Sequence, residues 1–315
     1  MFCFFVYLSS CALYHNYEEK SFLSWMRSTN QFYTGDEYFL RFGIYLTNSR
    51  FVKEHNKANN YFKLALNKFA VYTPSEYRSL LGLRQKAYQS KATKSTKKHN
   101  AESLDWRDKG VVNPVQDQGQ CGSCWAFSAI QAIESSNAIK TGQLYKFSEQ
   151  DQIDCNTFCS GCHGGLMMDV FQWTMHHHNG TFCLQKDYPY TATEGTCNFD
   201  NVPHYGTISN FDNIFLMDEE DLFEKVQIGP VSVGIDASTA SFQLYSEGIF
   251  SDDDCSSLYL DHGVGCVGYG STSDGTDFWI VRNSWGADWG ENGYVRMLRG
   301  ENMCGIATTA TIPYA

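Results

Sequence analysis

The chain has 315 residues, 43% of them hydrophobic and 15% aromatic, which is enough for a large core and excludes global disorder. It carries 24 Lys and Arg against 35 Asp and Glu, and its twelve cysteines favour an oxidising compartment. Residues 1–100 hold 15 basic and 6 acidic residues, a net charge of +9, and residues 101–315 hold 9 and 29, a net charge of −20; the sum is −11. This asymmetry predicts a basic appendage on an acidic body, and the acidic body argues against nucleic acid as a partner because phosphates would be repelled.

An apolar run opens the chain as "MFCFFVYLSSCAL", residues 1–13. Its length is typical of a signal peptide and too short for a membrane-spanning helix, although no Lys or Arg precedes it. We predict an unusual or truncated signal peptide over residues 1–15, with a buried helix as the alternative. No later run approaches about 20 apolar residues, so no stable membrane insertion is expected.

The next region, residues 16–82, is predicted to be mainly helical. Residues 17–60 contain little Gly or Pro and indicate two helices. Apolar and small residues recur at helical spacing in "EYFLRFGIYLTNSRFVKEHN", at Phe39, Phe42, Tyr45, Leu46, Ser49 and Val52. The alternation of Phe62, Leu64 and Leu66 predicts a short strand. Residues 83–100 are basic, rich in Ser and Thr and nearly without aliphatic residues, which predicts an exposed, cleavable linker.

Residues 101–315 change from helical to strand patterns along the chain. A helix is predicted from Cys124 to the stop at Gly142, and a second one in "GGLMMDVFQWTMHHHNG", ending at Asn179-Gly180. In the first helix, Ala126, Ile130 and Ile133 share a face. After about residue 207 four strands are predicted, in "PVSVGIDA", "HGVGCVGYG", "FWIVRNSWG" and "GYVRMLRG". Helices followed by strands predict an α+β architecture with two subdomains.

Cys121 and Cys124, in "GQCGSCWAFSA", are separated by two residues and allow three interpretations. A redox dithiol requires strands and a helix around the pair, and the preceding "NPVQDQGQ" is typical of a loop. A zinc site could use a group of four residues further along the chain, but zinc normally takes two well-separated ligand pairs. That group is Cys155, Cys159, Cys162 and His163. The third interpretation is a cysteine nucleophile with a distant histidine.

The third interpretation has the most specific support. "CGSCW", residues 121–125, matches the local signature of papain-type proteases, and His262 lies 138 residues after Cys124, inside the expected spacing of about 130–150 residues. Asn283 follows in "VRNSWGADWGENGYVRM", and "LDHGVGCVGYG" surrounds His262. With "GCHGG", four motifs stand in family order. From residue 20 onward the chain therefore resembles the papain-like cysteine proteases, nearest the cathepsin L type.

The resemblance implies a two-subdomain fold, with a helical left subdomain, a β-barrel-like right subdomain and the active-site cleft between them. It implies a catalytic domain over residues 101–315, an inhibitory propeptide over residues 16–82 and a processing region over residues 83–100. No cofactor and no metal are expected. Protein and peptide substrates, the chain's own propeptide and cystatin-like inhibitors are the expected partners of a monomeric enzyme, located outside the cell or in a lysosome-like acidic vesicle.

The catalytic roles follow from what attack on a peptide carbonyl needs. Cys124 is the predicted nucleophile, and both the positive end of its helix and an imidazolium at His262 would lower the pKa of its thiol. Asn283 would orient the imidazole. By the resemblance, Gln118 and the backbone N–H of Cys124 stabilise the oxyanion, and Trp285 covers the His262–Asn283 contact.

Substrate-binding residues are carried over by position from the family. Gly164 and Gly165 are expected to pair with an extended substrate strand. Asp261 and Trp285 also belong to the expected substrate-binding set. The pocket for the second residue before the cut corresponds to Leu166, Met167, Gly234, Leu260, Gly263 and Thr309. Because this pocket is apolar and has no carboxylate, a preference for Leu, Phe or Val over Arg is expected.

The disulfides are likewise carried over from the family. The expected pairs are Cys121–Cys162, Cys155–Cys197 and Cys255–Cys304. An additional bridge between Cys159 and Cys183 is a hypothesis, and Cys266 is expected to be a buried thiol. The run "HHH", residues 176–178, is interpreted as a polar helix end, and Asn179-Gly180-Thr181 is a glycosylation sequon.

The propeptide signatures are present with substitutions. The helical signature appears as Glu37, Arg41, Tyr45, Asn48, Val52 and Asn56. The second signature reads Ala65, Asn67, Phe69 and Val71. Val71 stands where the family has Asp, which puts the usual acid trigger of maturation in doubt. By the resemblance, the propeptide lies backward in the cleft until it is cut near residues 98–103. The opposite charges of the two parts predict that salt speeds autoactivation.

Two other functions compete with a secreted or lysosome-type endopeptidase. A catalytically silent homologue acting in binding or adhesion would be favoured by loss of Cys124, His262 or Gln118, and all three residues are present. A thioredoxin-like oxidoreductase would need Cys121 and Cys124 to cycle as a pair.

Overall fold

A computed structural model describes residues 17–58, 61–84 and 103–315. The predicted signal peptide and most of the predicted processing region lie outside the described residues. The helices are α1 over residues 17–28, α2 Gly35–Lys57, α3 Pro74–Arg78, α4 Cys124–Thr141, α5 Glu149–Cys155, α6 Met167–His177, α7 Glu219–Val226 and α8 Ala240–Gln243. The strands are β1 Phe62–Leu64, β2 Leu104–Asp105, β3 Phe182–Cys183, β4 His204–Tyr205, β5 Asn210–Asn213, β6 Val231–Ile235, β7 Tyr245–Phe250, β8 His262–Ser271, β9 Asp277–Arg282, β10 Tyr294–Leu298 and β11 Ala310–Tyr314. The two predicted helices of the body and its four predicted strands are confirmed as α4, α6, β6, β8, β9 and β10.

One large sheet forms the C-terminal half of the body. Its strand order is β1-β7-β10-β9-β8-β6-β11-β5, and β2 pairs with β8. Neighbouring strands are antiparallel except β7 and β10. The α+β class is confirmed. In the described residues, however, the two end strands β1 and β5 do not pair, so the sheet is open rather than barrel-like. The propeptide strand β1 extends one edge of it by pairing with β7.

Helix α4 lies between this sheet and the other helices. It contacts β8, β6 and β11 on one side and α5 and α6 on the other. The helix ends where Gly142 adopts a left-handed conformation with φ 76°, which glycine adopts without strain. Most α4 residues are buried, including the predicted face, because the helix is covered on both sides. The cleft opens where α4 and β8 begin, so Cys124 and His262 are the first residues of adjoining elements.

The propeptide folds around an aromatic cluster. Phe22, Trp25, Phe42 and Tyr45 are buried and their rings lie 5.1–5.9 Å apart where they contact one another. Phe39 is 70% exposed, although the helical spacing had placed it with the buried residues. The predicted strand ends at Leu64, before Leu66.

Three disulfides link Cys121 to Cys162, Cys155 to Cys197 and Cys255 to Cys304, the same pairs that the resemblance implies. Cys159 and Cys183 are free thiols, so the hypothetical additional bridge between them is not formed. Cys266 is a buried thiol, as expected. The zinc hypothesis is wrong in this structure because two of its four residues, Cys155 and Cys162, are held in disulfides.

The three histidines of the run 176–178 differ in burial. Helix α6 ends at His177, but His178 is only 6% exposed and lies beside Asp151, so the run is not entirely a polar helix end. Within the described ranges, no helix combines the length and apolar character needed to cross a bilayer.

Candidate active site

Cys124, His262 and Asn283 lie at the junction of the two layers. Nε2 of His262 hydrogen-bonds Oδ1 of Asn283 at 2.8 Å, and both residues are buried. The Trp285 ring stacks on the imidazole with centroids 4.6 Å apart, and Trp285 is 1% exposed. The hydrogen bond fixes the ring orientation, and the indole separates the contact from water.

The Cys124 thiol is covered. Its Sγ accepts hydrogen bonds from the backbone N–H groups of Gly82, at 3.2 Å, and Gly263, at 3.3 Å. Nδ1 of His262 has no hydrogen-bond partner among the described residues. Sγ of Cys124 and Nδ1 of His262 are therefore not hydrogen-bonded to each other while Gly82 contacts the sulfur.

Burial explains the protonation state of this covered pair. It raises the pKa of Cys124 to about 11, although two N–H groups favour the thiolate. It lowers the pKa of His262 to about 4, although Asn283 favours the protonated ring. At neutral pH the site therefore holds a neutral thiol and a neutral imidazole, and the pKa reduction expected from the helix end is outweighed by desolvation.

The Gln118 amide points its NH2 group into the cleft. Nε2 donates to the carbonyl oxygens of Leu80 and Cys121, both at 2.8 Å, and Oε1 accepts from the Ser284 hydroxyl at 2.7 Å. Gln118 is fully buried. A carbonyl of the propeptide thus occupies the donor expected to stabilise the oxyanion. Ser284 was missed from the sequence, although it follows Asn283 directly in the matched motif.

Residues 79–84, which we call the covering segment, leave α3 through a turn at Ser79 and Leu80 and continue through the cleft, where Leu83 forms a bridge with Gly165. Gly165 N–H donates to the Gly82 oxygen at 2.9 Å, and Arg84 N–H donates to the Gly165 oxygen at 3.0 Å. Leu83 N–H donates to the Asp261 oxygen at 2.9 Å, and the bridge between Leu83 and Gly165 is parallel. Leu83 and Arg84 were predicted to begin the exposed linker, and they lie in the cleft because these backbone bonds hold them.

Glycine is required where the covering segment passes the body. A Cβ on Gly82 would lie 1.8 Å from the Gly122 oxygen, and a Cβ on Gly164 would lie 2.6 Å from the Gly82 oxygen. The two chains can approach to hydrogen-bonding distance because neither residue has a side chain.

The Leu83 side chain fills an apolar pocket and is 7% exposed. It belongs to one buried cluster with Leu166, Met167 and Leu260. A Cβ on Gly234 would lie 2.7 Å from Leu83 Cδ2, with Leu260 and Thr309 next to it. A Cβ on Gly263 would meet Met167 Sδ at 3.3 Å, at the pocket base beside Cys124. The residues that the sequence predicts for the pocket of the second substrate residue before the cut therefore lie together in the structure.

Residues 67–77, the docking segment, cover the opposite side of the site. Phe69 and Tyr77 contact the Trp285 ring at 5.2 and 5.7 Å between centroids. The Tyr77 hydroxyl donates to the Ala237 oxygen at 2.6 Å, and Lys68 pairs with Asp117 at 2.6 Å. Trp285 thus lies away from the Leu83 pocket. The sequence marked Phe69 as a signature residue but not its contact with Trp285, and it did not mark Lys68 or Tyr77, because their partners are far along the chain.

Two family models match the chain. Residues 100–314 match the model described as Papain family cysteine protease, and residues 22–77 match the Cathepsin propeptide inhibitor domain (I29). Vignain from Vigna mungo is 44% identical over 290 residues, which are 87% of this chain and 79% of vignain. Cysteine proteinase 5 from Dictyostelium discoideum is 39% identical over 316 residues, 93% of this chain and 91% of that protein.

Solved proenzymes share the fold. The proform of Amb a 11, a cysteine protease and major ragweed pollen allergen, has a TM-score of 0.84 at 36% identity, covering 94% of each chain. Digestive procathepsin L 3 from the larval midgut of Tenebrio molitor has a TM-score of 0.83 at 37% identity, covering 95% of this chain and 99% of that chain. Both are precursors that include the inhibitory segment.

Proposed function

The chain belongs to the papain family of cysteine proteases and carries that family's inhibitory propeptide, and we propose how its residues divide the work of cleaving a peptide bond. It is a cysteine endopeptidase in its zymogen form. The observation that carries the assignment of roles is the covering segment, which places an extended backbone over Cys124 between an apolar pocket and Gln118.

Activation begins when the covering segment leaves. Water then reaches Cys124 and His262, the desolvation that keeps both groups neutral decreases, and a proton moves from Sγ to the imidazole. The thiolate is stabilised by the N-terminal end of α4, and Asn283 holds the imidazolium in place. Trp285 keeps the His262–Asn283 hydrogen bond dry, which strengthens it.

The thiolate attacks the carbonyl carbon of the peptide bond, and the carbonyl oxygen becomes an oxyanion. Nε2 of Gln118 and the backbone N–H of Cys124 donate to that oxygen; the Leu80 carbonyl on Nε2 supports this role. His262 then protonates the leaving amine as the C–N bond breaks. A thioester remains on Cys124, and water activated by His262 hydrolyses it to the acid and the free thiol.

Substrate preference follows from the pocket that holds Leu83. A substrate strand would pair with the backbone of Gly165 and with the Asp261 carbonyl, as the covering segment does in the opposite direction. Its second residue before the cut would enter the space bounded by Gly234, Leu260 and Thr309. We expect Leu, Phe or Val there over Arg, because burying a guanidinium without a carboxylate partner is costly.

An epoxide label directed at active-site thiols, applied to the processed enzyme and mapped by mass spectrometry, tests the catalytic assignment. The label is expected on Cys124 and to disappear in Cys124→Ser, with Cys266→Ser as the matched control that still reacts. If the label modified no cysteine although the protein still bound its propeptide, the result would favour the catalytically silent homologue. A fluorogenic library that prefers Arg over Leu at the second position before the cut would contradict the specificity.

The remaining proposals concern partners and location. The cleared cleft would bind cystatin-like inhibitors, and the enzyme would act as a monomer. The three disulfides support folding in an oxidising compartment, so we propose secretion or storage in an acidic vesicle. Size-exclusion chromatography with light scattering checks the monomer, and immunolocalisation checks the compartment.

A further inference from the structure

A propeptide cation is bound at one edge of the cleft. Nζ of Lys68 lies 2.6 Å from Oδ2 of Asp117 and 3.3 Å from Oδ1 of Asp288. The Lys68 side chain is 16% exposed, whereas the side chains of Asp117 and Asp288 are 49% and 64% exposed. Among the ion pairs of the described residues, these two join the propeptide to the catalytic domain. The ammonium is thus more buried than the carboxylates that bind it.

Two loops of the body bring the carboxylates together. Backbone hydrogen bonds pair segment 116–118 with segment 284–286, and Asp117 lies opposite Trp285. Asp288 follows in the second loop. Both loops also carry catalytic-site residues, so the hydrogen bonds that pair the loops hold Asp117 next to the active site.

Gly286 leaves room for the ammonium. A Cβ at this position would lie 2.8 Å from Asp288 Oδ1, 3.1 Å from Asp117 Oδ2 and 3.2 Å from Lys68 Nζ. Its φ of +75° is also one that glycine adopts without strain. A side chain here would displace the cation or separate the acids, so the loop is shaped around a positive group.

The order of the propeptide in the cleft locates this subsite. Leu83 lies in the apolar pocket, Gly82 lies over Cys124, and the Leu80 oxygen lies at Gln118. Lys68 lies beyond them, beside the residue that precedes Gln118. Because the Leu83 pocket is proposed to bind the substrate before the cut, the acidic pair lies on the leaving-group side.

We propose that Asp117 and Asp288 form a cation subsite, which Lys68 fills in the zymogen and a Lys or Arg side chain on the leaving-group side of a peptide substrate fills in the processed enzyme. This inference rests on the proposed endopeptidase function. Both carboxylates are partly exposed, so the expected selectivity is moderate and is reduced by salt. The propeptide lysine acts at this subsite as a substrate side chain would.

The test uses the processed enzyme and peptides with Leu as the second residue before the cut. Lys, Ala or Glu is placed in turn at each of the first three positions after the cut. At low salt, kcat/KM is expected to be about threefold to tenfold higher for Lys than for Ala at one position, and lower for Glu. In 0.5 M NaCl the Lys-to-Ala ratio is expected to fall toward 1, because the Debye length falls to about 4 Å.

Substitutions test whether Asp117 and Asp288 cause the Lys-to-Ala ratio in kcat/KM. In the double variant Asp117→Asn, Asp288→Asn the Lys-to-Ala ratio is expected to approach 1, whereas the matched control Asp200→Asn, an exposed aspartate in the turn 199–201, keeps the wild-type ratio. A ratio near 1 in the wild-type enzyme, or a ratio that survives in the double variant, would overturn the subsite. Failure to cleave any of the peptides would instead contradict the endopeptidase function.

Propeptide variants provide a second measurement, which leaves Asp117 and Asp288 of the enzyme unchanged. Added as inhibitor to the processed enzyme, propeptide with Lys68→Met is expected to bind about threefold to tenfold more weakly than wild type, and Lys68→Arg is expected to retain most of the inhibition. If Lys68→Met weakens inhibition but the Lys-to-Ala substrate ratio is 1, the acids serve the propeptide alone and the substrate subsite is excluded.

Discussion

The docking segment, residues 67–77, and the covering segment, residues 79–84, bind the same catalytic domain in different ways. The docking segment uses side chains, among them Phe69 and Tyr77 on Trp285. The covering segment adds backbone bonds, through Gly82 and Arg84 on Gly165, to the Leu83 side chain in its pocket. Both segments therefore contribute affinity, but the covering segment alone occupies the place of the substrate over Cys124. Changes in the docking segment should weaken binding without opening the cleft of the bound complex.

The largest expected effect on inhibition comes from a substitution that forces the covering segment out of the cleft and leaves the docking segment unchanged. Gly82→Ala adds a Cβ that would lie 1.8 Å from the Gly122 oxygen, and that backbone is held by the Cys121–Cys162 disulfide and a hydrogen bond to the Cys162 oxygen. We expect the covering segment to leave the cleft and inhibition by added propeptide to weaken about 100-fold, or about 3 kcal/mol.

The control for this change is Gly43→Ala. A Cβ at Gly43 meets no atom within 4 Å, and alanine favours helix α2. Inhibition constants measured with both propeptides against the processed enzyme decide the outcome. Equal constants for Gly82→Ala and Gly43→Ala would show that the covering segment does not need to lie in the cleft.

A smaller effect is expected in the docking segment. Tyr77→Phe keeps the buried ring on Trp285 and removes the hydroxyl that donates to the Ala237 oxygen at 2.6 Å. Loss of one neutral hydrogen bond corresponds to about 1 kcal/mol, or roughly fivefold weaker inhibition. Because the covering segment is unchanged, saturating propeptide should still block the enzyme completely. Residual activity at saturation would contradict the expectation that changes in the docking segment leave the cleft of the bound complex closed.

The smallest effect concerns the base of the docking segment, where Glu76 caps α3 and accepts two hydrogen bonds from Arg41 at 2.5 Å. Arg41 lowers the pKa of Glu76 to about 2. A lowered pKa gives stability that is present above the ordinary value near 4.5 and is lost as the pH falls toward 2. Acid near pH 4.5 therefore leaves this pair charged.

Thermal unfolding of an inactive Cys124→Ser zymogen measures this contribution. The added change Glu76→Gln is expected to lower Tm by a few degrees between pH 5 and 7, and the difference should shrink as the pH falls below about 4. Glu37 also contacts Arg41, but at a longer distance and with a more exposed side chain. Glu37→Gln is therefore the matched control, and it is expected to lower Tm less. A Tm difference that grows on acidification would contradict the direction of the Glu76 pKa shift.

Local patterns predicted the body's main helices and strands, and the resemblance to a family supplied the residues that the structure brings together at the site. Cys124, His262 and Asn283 stand inside matched motifs, whereas Gly234 and Thr309 of the Leu83 pocket lie outside them and were placed only by position in the family. The protonation state could not be predicted in the same way. The pKa of the Cys124 thiol depends on burial by the covering segment, which lies 42 residues away in the chain.

The sequence predictions failed where contacts with distant parts of the chain decide how a residue is placed. Leu83 and Arg84 were assigned to a linker because their neighbours are basic and polar, but backbone bonds to Gly165 and Asp261 and the burial of the Leu83 side chain hold them in the cleft. Phe39 has helical spacing but faces outward, since spacing alone does not say which side of a helix is covered. The pairing of the propeptide strand β1 with β7 at one edge of the sheet is a long-range contact that no local pattern encodes.

The reactivity of Cys124 before and after processing tests the central claim, that burial beneath the covering segment keeps the catalytic pair neutral. Alkylation by iodoacetamide is followed by peptide mass between pH 4 and 10, with buried Cys266 as the internal control. In the zymogen, the rate at Cys124 should stay low through pH 8 and rise only toward the thiol pKa of about 11. After processing, it should be at least about 100-fold faster at pH 6, which is two pKa units in thiolate fraction. Equal rates at pH 6 in the two forms would contradict the claim.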